Sequence, residues 1–292
     1  MASMKSLLIA SLLVLSVSGA PANAGEDPVY FHDRMIRLKL HQAAEALREQ
    51  GDHPSGADLR AQLGRRECEL RLPRESVKEL DGVGLVRERR PGVLIVGSLY
   101  QCGKCDKWHG GGASGVALTR DGVFATCYHV IAKTNAATFV VMTEDGRTAP
   151  VVEVLAADER ADVAICRAAD IQWEPVPLAI QDRPAGSPVF VISHPSGSHF
   201  MLTSGLISRY FFRPVSSGRS TPFMAITAEF AKGSSGAPVM DAAGNLAGMV
   251  SSTRSIYYEE ARGEAPKNLQ MVLRQCVPVS AIRALIRTRD AD

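Results

Sequence analysis

The sequence lacks the features that mark several specialised classes of protein. Its 33 Lys and Arg residues nearly cancel its 31 Asp and Glu residues, and the resulting net charge of +2 is too small to attract nucleic acid. Charged residues make up only 22% of the 292 positions and hydrophobic residues 46%, which argues against extensive disorder. No apolar run reaches the roughly 20 residues that a membrane-spanning helix needs. We therefore expect a folded protein with no nucleic-acid partner and no membrane span.

The first 24 residues differ in composition from the rest of the chain. Lys5 is their only charged residue, Leu7 to Val17 form an 11-residue apolar run, and Ala22-Asn23-Ala24 places small residues at cleavage spacing. This pattern predicts a secretory signal peptide over residues 1–24. The protein is therefore expected to be exported, to the periplasm or to the exterior.

The remaining chain changes character near Pro91. Residues 25–90 form a predicted helical extension, in which apolar residues recur near helical spacing until Gly51, and a second short helix follows from Ser55 to Leu63. From Pro91 onward, short β-rich runs alternate with turn residues, which indicates an all-β barrel or sandwich. Near the end of the chain, Ser280 is expected to cap a last short helix.

Three separated motifs carry residue types that together suit acyl transfer. His129 follows a β-rich run, Asp162 opens another, and Ser235 lies in the glycine-rich stretch Lys232 to Pro238. A serine hydroxyl is a weak nucleophile and needs a base such as His129 within hydrogen-bond reach. A carboxylate such as Asp162 would hold the imidazole in the tautomer that accepts the proton. The backbone amides of Gly233 and Ser235 are expected to form the oxyanion hole.

These motifs, in this order, resemble those of the trypsin-like serine proteases and more narrowly those of the HtrA family. The resemblance extends from about residue 91 to residue 290, through His194-Pro195-Ser196-Gly197, Leu202 to Ser208, and Asp241 to Val250. It implies two six-stranded antiparallel β-barrels, from about Pro91 to Trp173 and from Glu174 to Val277, with the catalytic cleft between them. We expect residues 91–292 to form this protease domain without the PDZ domain that many relatives carry.

The resemblance implies a serine endopeptidase that acts on proteins or peptides through an acyl-enzyme and needs no cofactor. The alternative is a catalytically silent, protease-like binding or chaperone module. An oligomer is possible, but the sequence does not determine it. The extension over residues 25–90 has no counterpart in the protease core, so it could be a propeptide, a docking segment or a helical cap packed on the barrels.

The side chain accepted before the scissile bond depends on a predicted pocket formed by residues around the nucleophile. Glu229 lies where trypsin has an acidic pocket base, which would suit a basic side chain, whereas HtrA-like enzymes usually form an apolar pocket. We favour the apolar pocket, with Glu229 turned away toward solvent or a partner such as Lys232. The predicted pocket residues are Glu229, Phe230, Lys232, Val250 and Ser252.

The six cysteines leave several possibilities open. Cys102 and Cys105 form a C-x-x-C motif with no room for the helix that a redox pair needs. A zinc site formed by Cys102, Cys105, His109 and Cys68 has tolerable ligand types, but we favour a structural disulfide or plain thiols and expect no metal. The remaining three, Cys127, Cys166 and Cys276, are expected to be buried free thiols. His194 could be a fourth catalytic group, although a role in shaping the cleft is favoured.

Overall fold

The computed structural model describes residues 28–213, 220–259 and 265–288, so the predicted signal peptide lies outside the described residues. The described residues from His32 onward belong to one compact unit. Residues 28–31 form no helix or strand.

The compact unit contains five short to medium helices and fourteen strands within the described ranges. The helices are α1 (Asp33–Gln50), α2 (Gly56–Ala61), α3 (Gly82–Arg89), α4 (Tyr128–Ile131) and α5 (Val279–Arg283). The strands are β1 (Cys68–Leu70), β2 (Val93–Gln101), β3 (Trp108–Ala117), β4 (Val123–Thr126), β5 (Ala136–Met142), β6 (Thr148–Asp158), β7 (Val163–Ala168), β8 (Pro188–Ser193), β9 (Met201–Arg213), β10 (Thr221–Ile226), β11 (Pro238–Met240), β12 (Leu246–Glu259), β13 (Lys267–Pro278) and β14 (Ile286–Thr288). Among the described helices, none combines the length and the apolar character that spanning a membrane requires.

Two closed barrels dominate the fold. Strands β2 to β7 close in the order β2-β3-β4-β7-β6-β5, and strands β8 to β13 close in the order β10-β13-β12-β11-β8-β9. Every pairing within the barrels is antiparallel. The prediction of an all-β fold with two six-stranded antiparallel barrels is therefore confirmed.

Each barrel has its own apolar interior. In the first barrel, Phe124 and Trp173 pack edge to face with ring centroids 6.1 Å apart, and the Trp173 indole N–H donates to the Thr119 carbonyl at 2.8 Å. Burying each such side chain contributes about 1.5–3 kcal/mol to the free energy of folding. The core of the second barrel includes the following buried residues: Val189, Val191, Ile207, Met224, Ile226, Phe230, Val239 and Val250.

The N-terminal extension packs onto the first barrel through α1. This helix ends at Gly51, whose φ of +70° a glycine adopts without strain, and the Gly51 amide donates to the Leu47 carbonyl. Leu40 packs over Gly97 of β2 so closely that a Cβ at Gly97 would lie 2.8 Å from the Leu40 side chain. The described part of the extension therefore packs on the first barrel, and its role as a propeptide, a docking segment or a helical cap stays a prediction.

The second predicted helix is present but shorter than expected. Ser55 is the N-cap of α2, and its side chain and that of Asp58 form a reciprocal capping box. The helix ends at Ala61 rather than at Leu63.

The C-terminal helix was predicted with the wrong cap. Pro278 is the N-cap of α5, whereas Ser280 lies in the first turn and donates its amide and hydroxyl hydrogens to Asp182. The helix stops at Arg283, and the chain continues into β14, which pairs in parallel with β1. Two strands of three residues each, more than 200 positions apart, give too short a pattern to be recognised in the sequence.

Candidate active site

His129 and Asp162 lie close together because the two neighbouring strands that precede and follow them, β4 and β7, place them at the same edge of the first barrel. Strands β4 and β7 are antiparallel partners with Thr126 opposite Ala164, so the residues just after β4 lie beside those just before β7. The imidazole Nδ1 of His129 lies 2.9 Å from Asp162 Oδ1 and 3.0 Å from its Oδ2. The His129 backbone amide also donates to Oδ1, at 3.1 Å.

The Asp162 carboxylate is buried, and both of its oxygens accept hydrogen bonds. The residue is 8% exposed and has a φ of +59°, a strained conformation that Asp tolerates better than most residues. Its third donor is the Ser251 hydroxyl, 2.6 Å from Oδ2. Burial by itself would raise the pKa of this carboxyl, but the hydrogen bonds and charge of His129 and the Ser251 bond lower the pKa overall. An ionised Asp162 accepts the Nδ1–H of His129, which leaves Nε2 free to act as a base.

Ser235 lies on a turn of the second barrel, just before β11. The turn depends on two glycines with positive φ, Gly233 at +102° and Gly236 at +91°. A Cβ at Gly236 would lie 2.1 Å from the Ser114 carbonyl oxygen, so only glycine allows this approach between the barrels. Within the described part of the chain, the amide N–H groups of Gly233 and Ser235 donate to no acceptor.

Ser114 of the first barrel supports this turn from behind. Its amide donates to the Ser235 carbonyl at 2.8 Å, and its hydroxyl donates to the Gly233 carbonyl at 3.0 Å. Because both carbonyls point toward Ser114, the turn is fixed in orientation. The amides of Gly233 and Ser235 thus belong to a turn that the first barrel holds in place.

The Ser235 hydroxyl does not hydrogen-bond to His129 in the described structure. It donates instead to the backbone carbonyl of Ser251 at 3.2 Å. The same Ser251 thus contacts Asp162 through its hydroxyl and Ser235 through its carbonyl. Catalytic hydrogen bonds in unliganded enzymes are often long or absent and form only when substrate binds.

The five predicted pocket residues are spread over separate places. Phe230 and Val250 are 7% and 1% exposed and belong to the core of the second barrel. Glu229 lies at the surface and pairs with Arg274, not with Lys232. Lys232 borders a cavity of about 420 Å³ under α1, whereas Ser252 borders a different cavity beside His129.

The cavity beside His129 has a volume of about 640 Å³ and is lined in part by the side chain of Arg213, which the sequence analysis did not single out. Arg213 donates to the Ser252 hydroxyl at 3.0 Å and to the Gln275 side-chain oxygen at 2.7 Å, and its guanidinium lies 3.7 Å from the centroid of the Phe223 ring. Burial lowers the pKa of Arg213, while the nearby Asp162 acts in the opposite direction. Lys133, Glu159 and Asp162 line the same cavity, so its lining carries charges of both signs.

His194 has a structural environment. It is buried, its Nε2 lies 3.2 Å from the Leu94 carbonyl, and its Nδ1 accepts the Phe200 amide hydrogen at 3.1 Å. These partners use both ring nitrogens of a neutral imidazole. Burial lowers the pKa of His194 to about 3. The side chain therefore fixes its loop against the first barrel, next to the turn that carries Gly233.

All six cysteines are free thiols. As expected, Cys127, Cys166 and Cys276 are buried, and burial raises the pKa of each thiol. Cys68 is not grouped with the other members of the zinc set that the sequence left as an alternative, because β1 holds it beside β14, where its thiol contacts the Leu285 carbonyl. Its burial raises its pKa to about 11. Cys102 and Cys105 are close but not bonded, with sulfur atoms 3.6 Å apart.

Three residues of this region escaped the sequence analysis: Ser114, Arg213 and Ser251. Serine and arginine are common at surfaces and in strands, and nothing in the local pattern around them differs from ordinary strand sequence. Their roles arise from contacts with residues far away in the chain, such as the bond between Ser251 and Asp162 across 89 positions.

Two closed antiparallel barrels with a histidine, an aspartate and a serine at their junction are the arrangement of the trypsin-like serine peptidases. In agreement, residues 113–249 match the family described as trypsin-like peptidase domain. The resemblance of the chain to the trypsin-like peptidases, and more narrowly to the HtrA-type proteases, is therefore confirmed by this match and by the relatives below.

Two curated relatives illustrate this similarity. Protease Do-like 1, chloroplastic, from Arabidopsis thaliana is 30% identical over 59% of this chain and 41% of its own length. A probable periplasmic serine endoprotease, DegP-like, from Brucella suis biovar 1 (strain 1330) is 30% identical over 47% of this chain and 26% of its own length. The chain thus spans less than half of the length of these relatives.

Solved structures show the same fold. An HtrA-type protease, AlgW, solved with a decapeptide, aligns with a TM-score of 0.55 at 18% identity, over 69% of this chain and 64% of that one. The same protease solved with a tripeptide gives a TM-score of 0.55 at 19% identity, over 70% of this chain and 61% of that one.

Proposed function

We propose that the protein is an exported serine endopeptidase in which Ser235 is the nucleophile, His129 the general base and Asp162 the residue that orients the base. The observation that carries the proposal is the chain of contacts that links the three side chains through Ser251. A buried, ionised Asp162 fixes His129 in the tautomer that can take a proton, and Ser251 contacts both Asp162 and the Ser235 hydroxyl.

The first chemical step follows from this arrangement. The Ser235 hydroxyl leaves the Ser251 carbonyl, gives its proton to His129 Nε2 and attacks the carbonyl carbon of the scissile peptide bond. Asp162 stabilises the imidazolium that results. His129 then returns the proton to the leaving amine, and an acyl-enzyme on Ser235 remains, which water hydrolyses with His129 again as the base.

The amides of Gly233 and Ser235 would stabilise the negative charge that develops on the substrate oxygen. Both are unpartnered in the described structure, and Ser114 holds their turn in place. One such donor contributes about 10²–10³-fold to the rate. The chemistry uses only side chains and backbone groups of the chain, so no cofactor is required for it.

We propose that the side chain before the scissile bond is apolar rather than basic. The Glu229 side chain is 71% exposed and paired with Arg274, so it offers no buried carboxylate to a basic side chain. Cleavage of a peptide library mainly after Arg or Lys, with that preference lost in Glu229→Ala, would overturn this choice.

Hydrolysis of an unfolded protein substrate tests the proposed activity. Ser235→Ala should abolish cleavage and leave the fold intact, because the hydroxyl makes only one long hydrogen bond. Ser234→Ala is the matched control. Ser234 is buried and contacts the Ser193 hydroxyl at 3.1 Å, so its loss should lower stability by about 1–3 kcal/mol but preserve cleavage by the folded fraction.

Equal loss of activity in the two variants would contradict the assignment of Ser235. Absence of hydrolysis in the unmodified protein, with peptides still bound, would instead favour a silent protease-like binding or chaperone module. Export is tested separately by N-terminal sequencing of the protein recovered outside the cytoplasm, where a new terminus at Gly25 is expected.

A further inference from the structure

A cluster of three metal-binding side chains lies at the tip of the β2–β3 hairpin, outside the proposed active site. The ligating atoms of Cys102, Cys105 and His109 all lie within 4.8 Å of one another. The two sulfur atoms are 3.6 Å apart, and Cys105 Sγ is 3.2 Å from His109 Nε2. Three soft or borderline donors therefore converge on one point.

These distances match a shared metal ion better than a disulfide. A disulfide requires sulfur atoms about 2.05 Å apart. A tetrahedral zinc ion with Zn–S bonds of about 2.3 Å and Zn–N bonds of about 2.0–2.1 Å places two sulfur ligands about 3.8 Å apart and a sulfur and a nitrogen about 3.5 Å apart. The observed separations of 3.6 Å and 3.2 Å lie within a few tenths of an ångström of those values.

The hairpin itself fixes the ligands. His109 lies opposite Tyr100 in the β2–β3 ladder, and Gln101 opposite Trp108, so the two cysteines occupy the loop just beyond the last pair. Gly103 turns this loop with a φ of +70°. The Tyr100 ring contacts the His109 ring at a centroid distance of 5.7 Å and limits its rotation. The imidazole is thus held with Nε2 toward the sulfur atoms.

We propose that Cys102, Cys105 and His109 bind one Zn²⁺ ion, with water in the fourth position. Thiolate and imidazole ligands in a tetrahedral arrangement are the set that zinc prefers. The water position follows from exposure, since Cys105 is open to solvent and the other two ligands are only partly buried.

The site is distinct from the second set of potential ligands in the described chain, Cys127, His129 and Asp162. In that set, the Cys127 thiol is wholly buried and contacts the Val250 carbonyl at 3.1 Å, and Asp162 is already saturated by three donors. A metal ion there would have to displace these bonds. The hairpin cluster requires no such displacement.

Zinc at the hairpin tip would order a loop that touches the surroundings of the proposed active site. The Asn135 side chain donates to the Gln101 carbonyl at 3.2 Å, next to Cys102. Asn135 also lines the cavity that contains His129. The metal would therefore stabilise one border of that cavity without taking part in the chemistry.

The test is zinc binding by the full chain, reduced and stripped of metal with a chelator, in competition with a chromophoric zinc indicator. One zinc ion per chain is expected. Cys105→Ser and His109→Ala should each weaken binding by at least about 100-fold, since loss of even an outer-sphere partner costs 10–100-fold. Cys68→Ser is the matched control and should bind zinc like the unmodified protein.

Two further readouts do not depend on enzymatic activity. Cobalt in place of zinc should give a thiolate-to-metal charge-transfer band that disappears in Cys102→Ser, and zinc should slow amide hydrogen exchange over residues 101–109. Circular dichroism and the thermal midpoint of each metal-free variant show that it is folded. The proposal is overturned if folded Cys105→Ser binds zinc as tightly as the unmodified chain, if His129→Ala removes the zinc instead, or if the reduced chain binds none.

Discussion

Replacing Asp162 by Asn is the most informative single change, because it keeps the shape of the side chain and alters only its hydrogen bonds. The carboxylate accepts three donors: the His129 amide, the His129 Nδ1–H and the Ser251 hydroxyl. An Asn amide offers one oxygen and one NH₂ group in the same space. The oxygen must remain at the Oδ1 position, because an NH₂ group there would face the donating His129 amide.

The NH₂ group of the variant therefore occupies the Oδ2 position, 3.0 Å from His129 Nδ1 in the present structure. A donor at this distance competes with the bond from Nδ1–H to the oxygen at the Oδ1 position, 2.9 Å away, and so raises the population of the tautomer with the proton on Nε2, which cannot take the proton from Ser235. The variant also lacks the negative charge that stabilises the imidazolium. The expected fall in kcat/KM is about 10⁴-fold, equivalent to about 5.5 kcal/mol of transition-state stabilisation.

The assay is hydrolysis of a chromogenic peptide near neutral pH by the variant and by Asp158→Asn as a control. Asp158 lies four positions earlier and accepts the amide hydrogens of Arg160 and Ala161, so its replacement should alter the rate less than tenfold. If Asp162→Asn retains more than a tenth of the activity while Asp158→Asn loses most of it, another carboxylate orients His129 and the account is wrong.

Three further predictions concern other parts of the molecule. The pKa of His194 is about 3 in the fold against 6.5 in the unfolded chain, so protons bind preferentially to the unfolded state, and the free energy of unfolding should fall by up to about 1.4 kcal/mol per pH unit as the pH drops below 6.5. Urea unfolding of His194→Gln should show a shallower dependence of this free energy on pH, and an unchanged dependence would refute the assignment of His194 as a buried neutral imidazole. Ser114→Ala removes the hydroxyl bond to Gly233 and should lower kcat/KM roughly tenfold without abolishing it, whereas an unchanged rate would show that the turn needs no support from the first barrel. Leu40→Ala should cost about 2–5 kcal/mol in the free energy of unfolding, and the exposed Leu38→Ala less than about 0.5 kcal/mol; equal costs would mean that α1 is not part of the folded unit.

The parts of the fold that the sequence could predict are those with a local signal. The end of α1 at Gly51 follows from the left-handed conformation that glycine allows, and the apolar runs of the barrels follow from their alternation with turn residues. The pairing of β1 with β14 has no such signal, because each strand has only three residues. The cap of α5 was mistaken because Ser280 binds Asp182 from a distant loop, which no local pattern shows.

The candidate site divides in the same way. His129, Asp162 and Ser235 could be proposed because their types and order are unusual in combination. Ser251 could not, since a serine in a strand is ordinary until the second barrel brings it to Asp162. The proposed zinc ligands show the converse error: ligand type alone grouped Cys68 with Cys102, Cys105 and His109 as an alternative, while the fold separates it from them.

Labelling of the purified protein with a fluorophosphonate probe tests the central claim most directly, because the probe reacts with a serine that is activated by a base and spares an inert one. The account predicts one adduct per chain, located by peptide mass mapping on Ser235, and its loss in Ser235→Ala but not in Ser234→Ala. Absence of labelling in the folded protein, or an adduct on any other serine, would contradict the claim that Ser235, His129 and Asp162 form a working catalytic site.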